Sequence, residues 1–321
     1  MAYTTGGVIQ AQDYNWLTWG GNSTGTYTST PSNLAYVWGV GNGAYGYGQD
    51  VSLISALSAS DTVTAAQWSG LVYCVNKALG HQGGTQLASG SNIGIAAGAT
   101  ITAFSNVATA ITTINTNYAS YGAQGSTTSG TAYTSWNPTA TATGALSAFV
   151  DTNVTFTSAQ HARYFFNAGG QLNYTCSSTD NAGTTRSTVL RDAINQIGGI
   201  TAFKNTTNGG RTGSGGSYSG STSIGYRGLT TSPQSIAQVT DAAPYASNYA
   251  RVSVFCNSSD TTNGAISASV VFRLSLNAIA DDSFGGAINL NTSVKVDIVY
   301  PETTYLSSTA WGTPSITNDN A

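Results

Sequence analysis

The sequence predicts a mainly β fold with α elements: an N-terminal helical, loop-rich part followed by an antiparallel β-sandwich-like domain with one or two short helices. Three observations predict it. In the first, Ile266, Ala268, Val270, Phe272, Leu274 and Leu276 alternate with Ser267, Ser269, Val271, Arg273, Ser275 and Asn277. In the second, Val294, Val296, Ile298 and Tyr300 alternate with Ser293, Lys295, Asp297 and Val299. Successive side chains on a strand point to opposite faces, so each run has one apolar and one mostly wet face. The polar, glycine-containing loop between the runs implies an antiparallel sheet over a core. The third observation is that the strand and helix patterns of 150–301 do not alternate regularly enough for βαβ units.

Residues 1–121 are expected to form a helical, Gly- and aromatic-rich attachment domain. Gln10 to Trp19 make a first short helix with Tyr14 and Leu17 on one face. Thr64 and Gln67 form a capping box. It opens a helix on which Trp68, Leu71, Val72, Val75 and Leu79 share a face, with Gly80 as its stop. Phe104, Val107, Ile111, Ile114 and Tyr118 follow a 3-4-3-4 spacing, the seam of helices packed side by side. That seam serves either an intramolecular helix pair or an intersubunit bundle. Residues 122–148 lose periodicity and are expected to be a linker or extended arm through Trp136-Asn137-Pro138.

The antiparallel β domain is expected over 149–304. Ser158 caps a short helix through Ala162, Tyr164 and Phe165, which Gly169-Gly170 ends. Leu172, Tyr174 and Cys176 alternate as a strand, and Val189, Leu190, Ala193, Ile194 and Ile197 mark a helix that stops at Gly198-Gly199. Residues 207–222 read as a solvent-facing Gly/Ser loop with one charge, Arg211. Strands are expected near 224–229, 235–240 and 249–256, ahead of the two strong runs. Residues 305–321 are expected to be a C-terminal arm reaching a neighbour.

Composition narrows the function. Of 321 residues, 40% are hydrophobic, enough for a core, and only 7% are charged, against roughly 25% in ordinary globular proteins. The polar surface must therefore be built from hydroxyls, amides and glycine, which suits a protein packed against neighbours. A net charge of −3 without any basic run argues against nucleic acid as a partner. The start, Met1 to Gly7, lacks the basic and apolar regions of a secretory signal. No apolar stretch approaches the roughly 20 residues needed to span a bilayer, so no membrane partner is expected and synthesis in a cytosol fits. Cys74, Cys176 and Cys256 lie far apart within apolar patterns. They read as buried free thiols, with a Cys176–Cys256 bridge as the alternative.

No catalytic residue and no cofactor are expected. The chain has two histidines, His81 and His161, and one glutamate, Glu302. Neither histidine has a partner at metal-ligand spacing, and each is expected to be satisfied and partly exposed. No Gly-x-Ser-x-Gly lies on a strand-to-helix turn. Asp281-Asp282 is the one adjacent acidic pair: a charged hairpin tip between the strong strands, or a weak metal candidate with oxygens from Ser283 and Asn277. Gly41-Asn42-Gly43-Ala44-Tyr45-Gly46 matches Gly-x-Gly-x-x-Gly by letter, but the strand and helix that nucleotide binding requires do not flank it. Aromatics cluster early and could stack on sugars or contact other subunits. The candidates for an assembly interface are Tyr14, Trp16, Trp19, Trp38, Tyr45, Tyr47 and Trp68, with Phe104, Val107, Ile111 and Ile114 of the helical seam.

Three segments carry a family likeness. The first is Gly6-Gly7-Val8-Ile9-Gln10-Ala11-Gln12-Asp13-Tyr14-Asn15. The second runs from Trp38-Gly39-Val40-Gly41-Asn42-Gly43 through Gly46-Tyr47-Gly48-Gln49 to Val63–Trp68 and His81-Gln82-Gly83. The third is Ala162-Arg163-Tyr164-Phe165-Phe166-Asn167-Ala168-Gly169-Gly170-Gln171-Leu172, leading into Asp281-Asp282 and Val296-Asp297-Ile298-Val299-Tyr300-Pro301. In this order and spacing the chain resembles virion structural proteins of tailed bacteriophages, of a type found in contractile-tailed and cyanobacterial phages. It departs from that pattern by extra residues between Trp19 and Trp38. The resemblance implies a non-enzymatic part of an assembled virion, a neck- or tail-attached fibre or collar ahead of a head decoration protein. The expected partners are further copies of itself, with a trimer favoured, and other virion proteins. In such assemblies modest contacts multiply by repetition. A carbohydrate-binding adhesin that recognises a host-surface glycan is the alternative.

Overall fold

The computed structural model describes residues 9–20, 33–88, 104–240, 244–280 and 285–320. The N-terminal part contains α1 (Ala11–Trp19), α2 (Leu34–Trp38), α3 (Ala65–His81) and α4 (Phe104–Thr116). Next come β1 (Gln124–Thr128), β2 (Tyr133–Trp136), β3 (Thr139–Ala140), β4 (Leu146–Thr155), α5 (Ala159–Asn167), β5 (Gln171–Asp180) and α6 (Thr185–Ile197). The rest is β6 (Gly199–Phe203), β7 (Ser217–Gly220), β8 (Gln234–Thr240), β9 (Tyr249–Phe255), β10 (Ser269–Ala278), β11 (Ile288–Pro301) and β12 (Ser315–Asn320).

Local chemistry sets the helix ends. Thr64 and Gln67 close the expected capping box on α3: Thr64 N–H donates to Gln67 Oε1 at 2.8 Å, and Gln67 N–H donates to Thr64 Oγ1 at 3.2 Å. Gly80 does not stop this helix, which runs through His81. Ser158 caps α5 and Thr184 caps α6 through the same Oγ-to-backbone bond. Gly198 turns the chain out of α6 at φ 66°, a left-handed conformation that glycine adopts without Cβ strain.

The strands form two antiparallel sheets. One has the order β1-β11-β5-β6, with β2 and β3 also on β11; the other has the order β12-β4-β10-β9-β8-β7. Phe272 of β10 stacks on Tyr174 of β5 at 5.2 Å and meets Phe203 of β6 edge-on at 5.4 Å, so the two sheets face each other across a shared apolar layer. Helix α6 lies against β5 and β11 of one sheet and β8 and β9 of the other. One buried cluster runs from Ile9 to Trp311, so the N-terminal helices and the sheets share a core.

Several expectations are corrected here. The two strong strands do not pair. β10 bonds to β4 and β9, while β11 bonds to β5 in the opposite sheet. The connection after β10 is therefore a crossover between sheets and no hairpin tip. Asp281, Asp282 and Ser283 fall outside the described residues. The segment 122–148, expected as a linker or extended arm, lays β1, β2 and β3 on β11 and buries Trp136. The C-terminal arm folds back: β12 pairs with this chain's own β4 from Ser315 to Asn320. The strand expected at 224–229 is a short 3-10 turn over Tyr226–Gly228. The 207–222 loop is tied down, with Asn208 buried and Arg211 donating to the carbonyls of Gln196 and Gly215.

Candidate functional site

Residues 40–46 and helix α5, more than a hundred positions apart in sequence, meet where the N-terminal part joins the sandwich. Arg163 and Asn167 lie one turn apart on α5, and so share a face. Arg163 is fully buried and has no carboxylate partner among the described residues. Its guanidinium donates to the carbonyls of Gly43 at 3.1 Å, Tyr45 at 2.6 Å and Val40, and to Gln160 Oε1 at 2.9 Å. Asn167 Nδ2 donates to the carbonyls of Gly43, Tyr45 and Gly46 at 3.0–3.1 Å. The loop closes this tightly because Gly46 sits at φ 95°, where a Cβ would overlap the Val40 carbonyl. A phosphate loop turns its N–H groups toward the ligand. Here the loop turns carbonyls inward onto a cation, which is the opposite polarity, so the Gly41–Gly46 letter match is structural.

A second cluster joins the end of α3 to the end of β11. His81 Nδ1 lies 3.2 Å from Glu302 Oε1. Glu302 Oε2 accepts from the N–H groups of Thr304 at 2.6 Å and Tyr305 at 3.2 Å. Burial works to raise the Glu302 carboxyl. The His81 bond and the two backbone N–H groups outweigh it and hold the carboxyl below its ordinary value. Beside them Tyr47 meets the His81 ring edge-on at 4.8 Å and donates through its hydroxyl to the Tyr118 carbonyl at 2.8 Å. Gln82 Nε2 donates to Tyr47 Oη at 2.9 Å and to the Ile114 carbonyl at 3.0 Å. Gln49 accepts from Ser307 N–H at 2.7 Å, and Lys77 Nζ donates to the Thr304 carbonyl at 2.8 Å.

His81 is thus corrected from partly exposed to buried, with 1% of its surface accessible. Its pairing with a carboxylate matches the orienting half of a catalytic triad. Its Nε2, however, is buried and bonded to no hydroxyl or thiol among the described residues, so the pair acts as a clamp. His161 is half-buried and bonds Ser158 Oγ at 3.0 Å. The three cysteines are free and buried, which corrects the alternative of a bridge. Burial pushes the Cys74 and Cys176 thiols up to about 12, which removes their nucleophilic thiolate at neutral pH.

Nine of the eleven expected interface residues belong to the chain's own core. Tyr14, Trp19, Trp38, Tyr47, Trp68, Phe104, Val107, Ile111 and Ile114 are all buried. Tyr45 is half-buried beneath Tyr36 and Tyr118, and Trp16 alone of the set is exposed. The physical reason is that indoles find backbone partners inward: Trp19 Nε1 donates to the Ile54 carbonyl and Trp38 Nε1 to that of Asp50. The helical seam closes within the chain, with Trp68 stacked on Phe104 at 6.3 Å.

Sequence reasoning missed the buried cations. Arg186 on α6 is as buried as Arg163 and donates to the carbonyls of Gly144 at 2.7 Å and Ile279 at 2.6 Å, which pins the inter-sheet crossover. The available signal was an arginine inside an apolar helical pattern in a chain with ten lysines and arginines in all. Comparison of the chain with protein-family models, curated proteins and solved structures returns no match.

Proposed function

We propose that this protein is a non-enzymatic structural component of a tailed-phage virion, built as repeated copies into a neck- or tail-attached fibre or collar. The observation that carries the proposal is the internal use of its reactive groups. His81, Glu302, Arg163 and the thiols are all engaged in holding one rigid unit together. What faces outward is mostly hydroxyl and amide, with charges at only 7% of residues. Such a surface carries little repulsion between copies and suits close packing, in which each contact is repeated by symmetry.

Light scattering on the purified chain, joined to antibody labelling of phage particles that contain it, tests this reading. A defined oligomer, a trimer first among them, and label on the neck or tail are the expected results. A protein that stays monomeric at every concentration and turns over a substrate would overturn it. Label confined to the head surface would move the protein to a decoration role.

A further inference from the structure

We propose that a cleft of 350 Å³ between α3 and residues 303–309 binds a neutral hexose unit of a glycan. This inference does not rest on the assembly reading. The cleft is where the molecule leaves apolar surface open. Leu53 and Tyr73, at 51% and 50% exposure, are the two most exposed large apolar side chains among the described residues, and both line it. Its volume lies at the lower end of the roughly 300–1,000 Å³ of small-ligand sites, the scale of about one or two sugar rings.

The groups that line the cleft keep bonding capacity. Lys77 Nζ lies 5.6 Å from the ring centroids of both Tyr73 and Tyr305 and donates to the Thr304 carbonyl at 2.8 Å. An ammonium has three donors, so others remain for a ligand. Asp50 is exposed. Its Oδ1 accepts from the Ser52 N–H at 2.9 Å and its Oδ2 from the Ser52 hydroxyl at 2.6 Å, which leaves acceptor capacity on both oxygens. The hydroxyls of Tyr73, Thr303 and Tyr305 have no partner within the chain among the described residues.

The walls are set before a ligand arrives. Helix α3 carries Gly70 and Gly80, although an interior glycine costs a helix about 1 kcal/mol relative to alanine. Each lies where a wall approaches. A Cβ at Gly70 would fall 2.7 Å from the Leu53 carbonyl oxygen, and one at Gly80 would fall 2.4 Å from Tyr305 Cε1. Gln49 joins the two walls by accepting from Ser307 N–H at 2.7 Å, and the Asp50 carbonyl accepts from the Trp38 indole at 2.8 Å.

The mixture of groups selects the ligand. The cleft holds one carboxylate and one ammonium, and none of the four ion pairs among the described residues includes either. A ligand of single charge meets one of them as a like charge. An amino-acid zwitterion serves both charges but leaves the rings and hydroxyls idle. A sugar hydroxyl both donates and accepts, so a neutral ring serves carboxylate and ammonium together while its C–H face rests on tyrosine and leucine.

Saturation-transfer NMR and calorimetric titration of the intact chain with D-glucose, D-galactose, D-mannose and N-acetyl-D-glucosamine test the proposal. At least one should bind. Asp50→Asn and Lys77→Gln should each weaken that sugar about tenfold, the usual scale for a lost charge-assisted bond, without changing the unfolding midpoint. Tyr73→Ala should weaken it as well, and Lys204→Gln, outside the cleft, should leave it unchanged. The proposal is overturned by no binding of any of the four, by L-alanine displacing the sugar at equal concentration, or by a correctly folded Asp50→Asn or Lys77→Gln that binds as before. Loss of self-association in Leu53→Ser, together with no sugar binding, would give the patch to a second copy of the chain instead.

Discussion

Between the two sheets, Phe272, Tyr174 and Phe203 meet ring to ring in a layer without hydrogen bonds between side chains. Between the N-terminal helices and the sandwich, by contrast, Arg163, Asn167, Gln82, His81 and Glu302 carry directional bonds to backbone and side-chain partners. Both regions are buried, yet they specify structure differently. Apolar burial is non-directional and tolerates repacking at constant volume. A buried polar network fixes one geometry and fails when a single partner is lost, because the remaining groups are desolvated and unpaired. The contrast explains how a chain so poor in charge still holds its parts in a unique arrangement.

The largest break is expected in the sandwich. Val270, fully buried on β10, becomes an unpaired buried charge in Val270→Asp. The expected outcome is loss of soluble folded protein, at a cost of several kcal/mol, seen as insoluble expression. Next is the junction: Arg163→Met strands the carbonyls of Val40, Gly43 and Tyr45 and should cost about 3–5 kcal/mol in denaturant unfolding. Sharper still is a pair of conservative changes. Arg163→Lys keeps the charge but not the fork, and should cost about 2 kcal/mol or more. Leu274→Met in the sandwich should cost under about 1.5 kcal/mol.

A pH experiment separates the regions again. Because the Glu302 carboxyl is held below its ordinary value of 4.5, its contribution is fully present above that value and is lost as pH falls through the lowered one. As pH falls below about 4.5, wild-type stability should therefore drop more steeply than that of Glu302→Gln. Asp180 and Asp297, also held low, leave a residual slope in both. A Glu302→Gln profile parallel to wild type would show that the His81–Glu302 pair does not clamp the junction. The smallest effect is His161→Ala, within about 0.5 kcal/mol of wild type and with the state of association in solution unchanged. A large loss there would mean that this half-exposed histidine has a role outside the junction.

What the sequence revealed follows from range. Capping at Thr64, Ser158 and the Gly198 stop are local, so those helix ends were readable. Period-2 alternation marks strands over 266–277 and 293–300 and their apolar faces, where the structure has them at 269–278 and 288–301. It says nothing about partners: the polar loop between the runs suggests a hairpin, whereas the strands lie in opposite sheets. The junction was invisible because its contacts join residues far apart: His81 and Glu302 are 221 positions apart, and Arg163 and Gly43 are 120 apart. Aromatic type alone does not distinguish core from interface, so by sequence the tryptophans and tyrosines fit an outward surface as well as a core. Their inward bonds to Ile54 and Asp50 decide it.

Scanning calorimetry of the intact chain decides whether the polar junction welds the helical part and the sandwich into one cooperative unit. One transition is expected, with calorimetric and van't Hoff enthalpies in agreement, splitting into two when Arg163 is replaced by Met. Two resolved transitions in the wild-type protein, or an Arg163→Met profile unchanged in midpoint and shape, would contradict it.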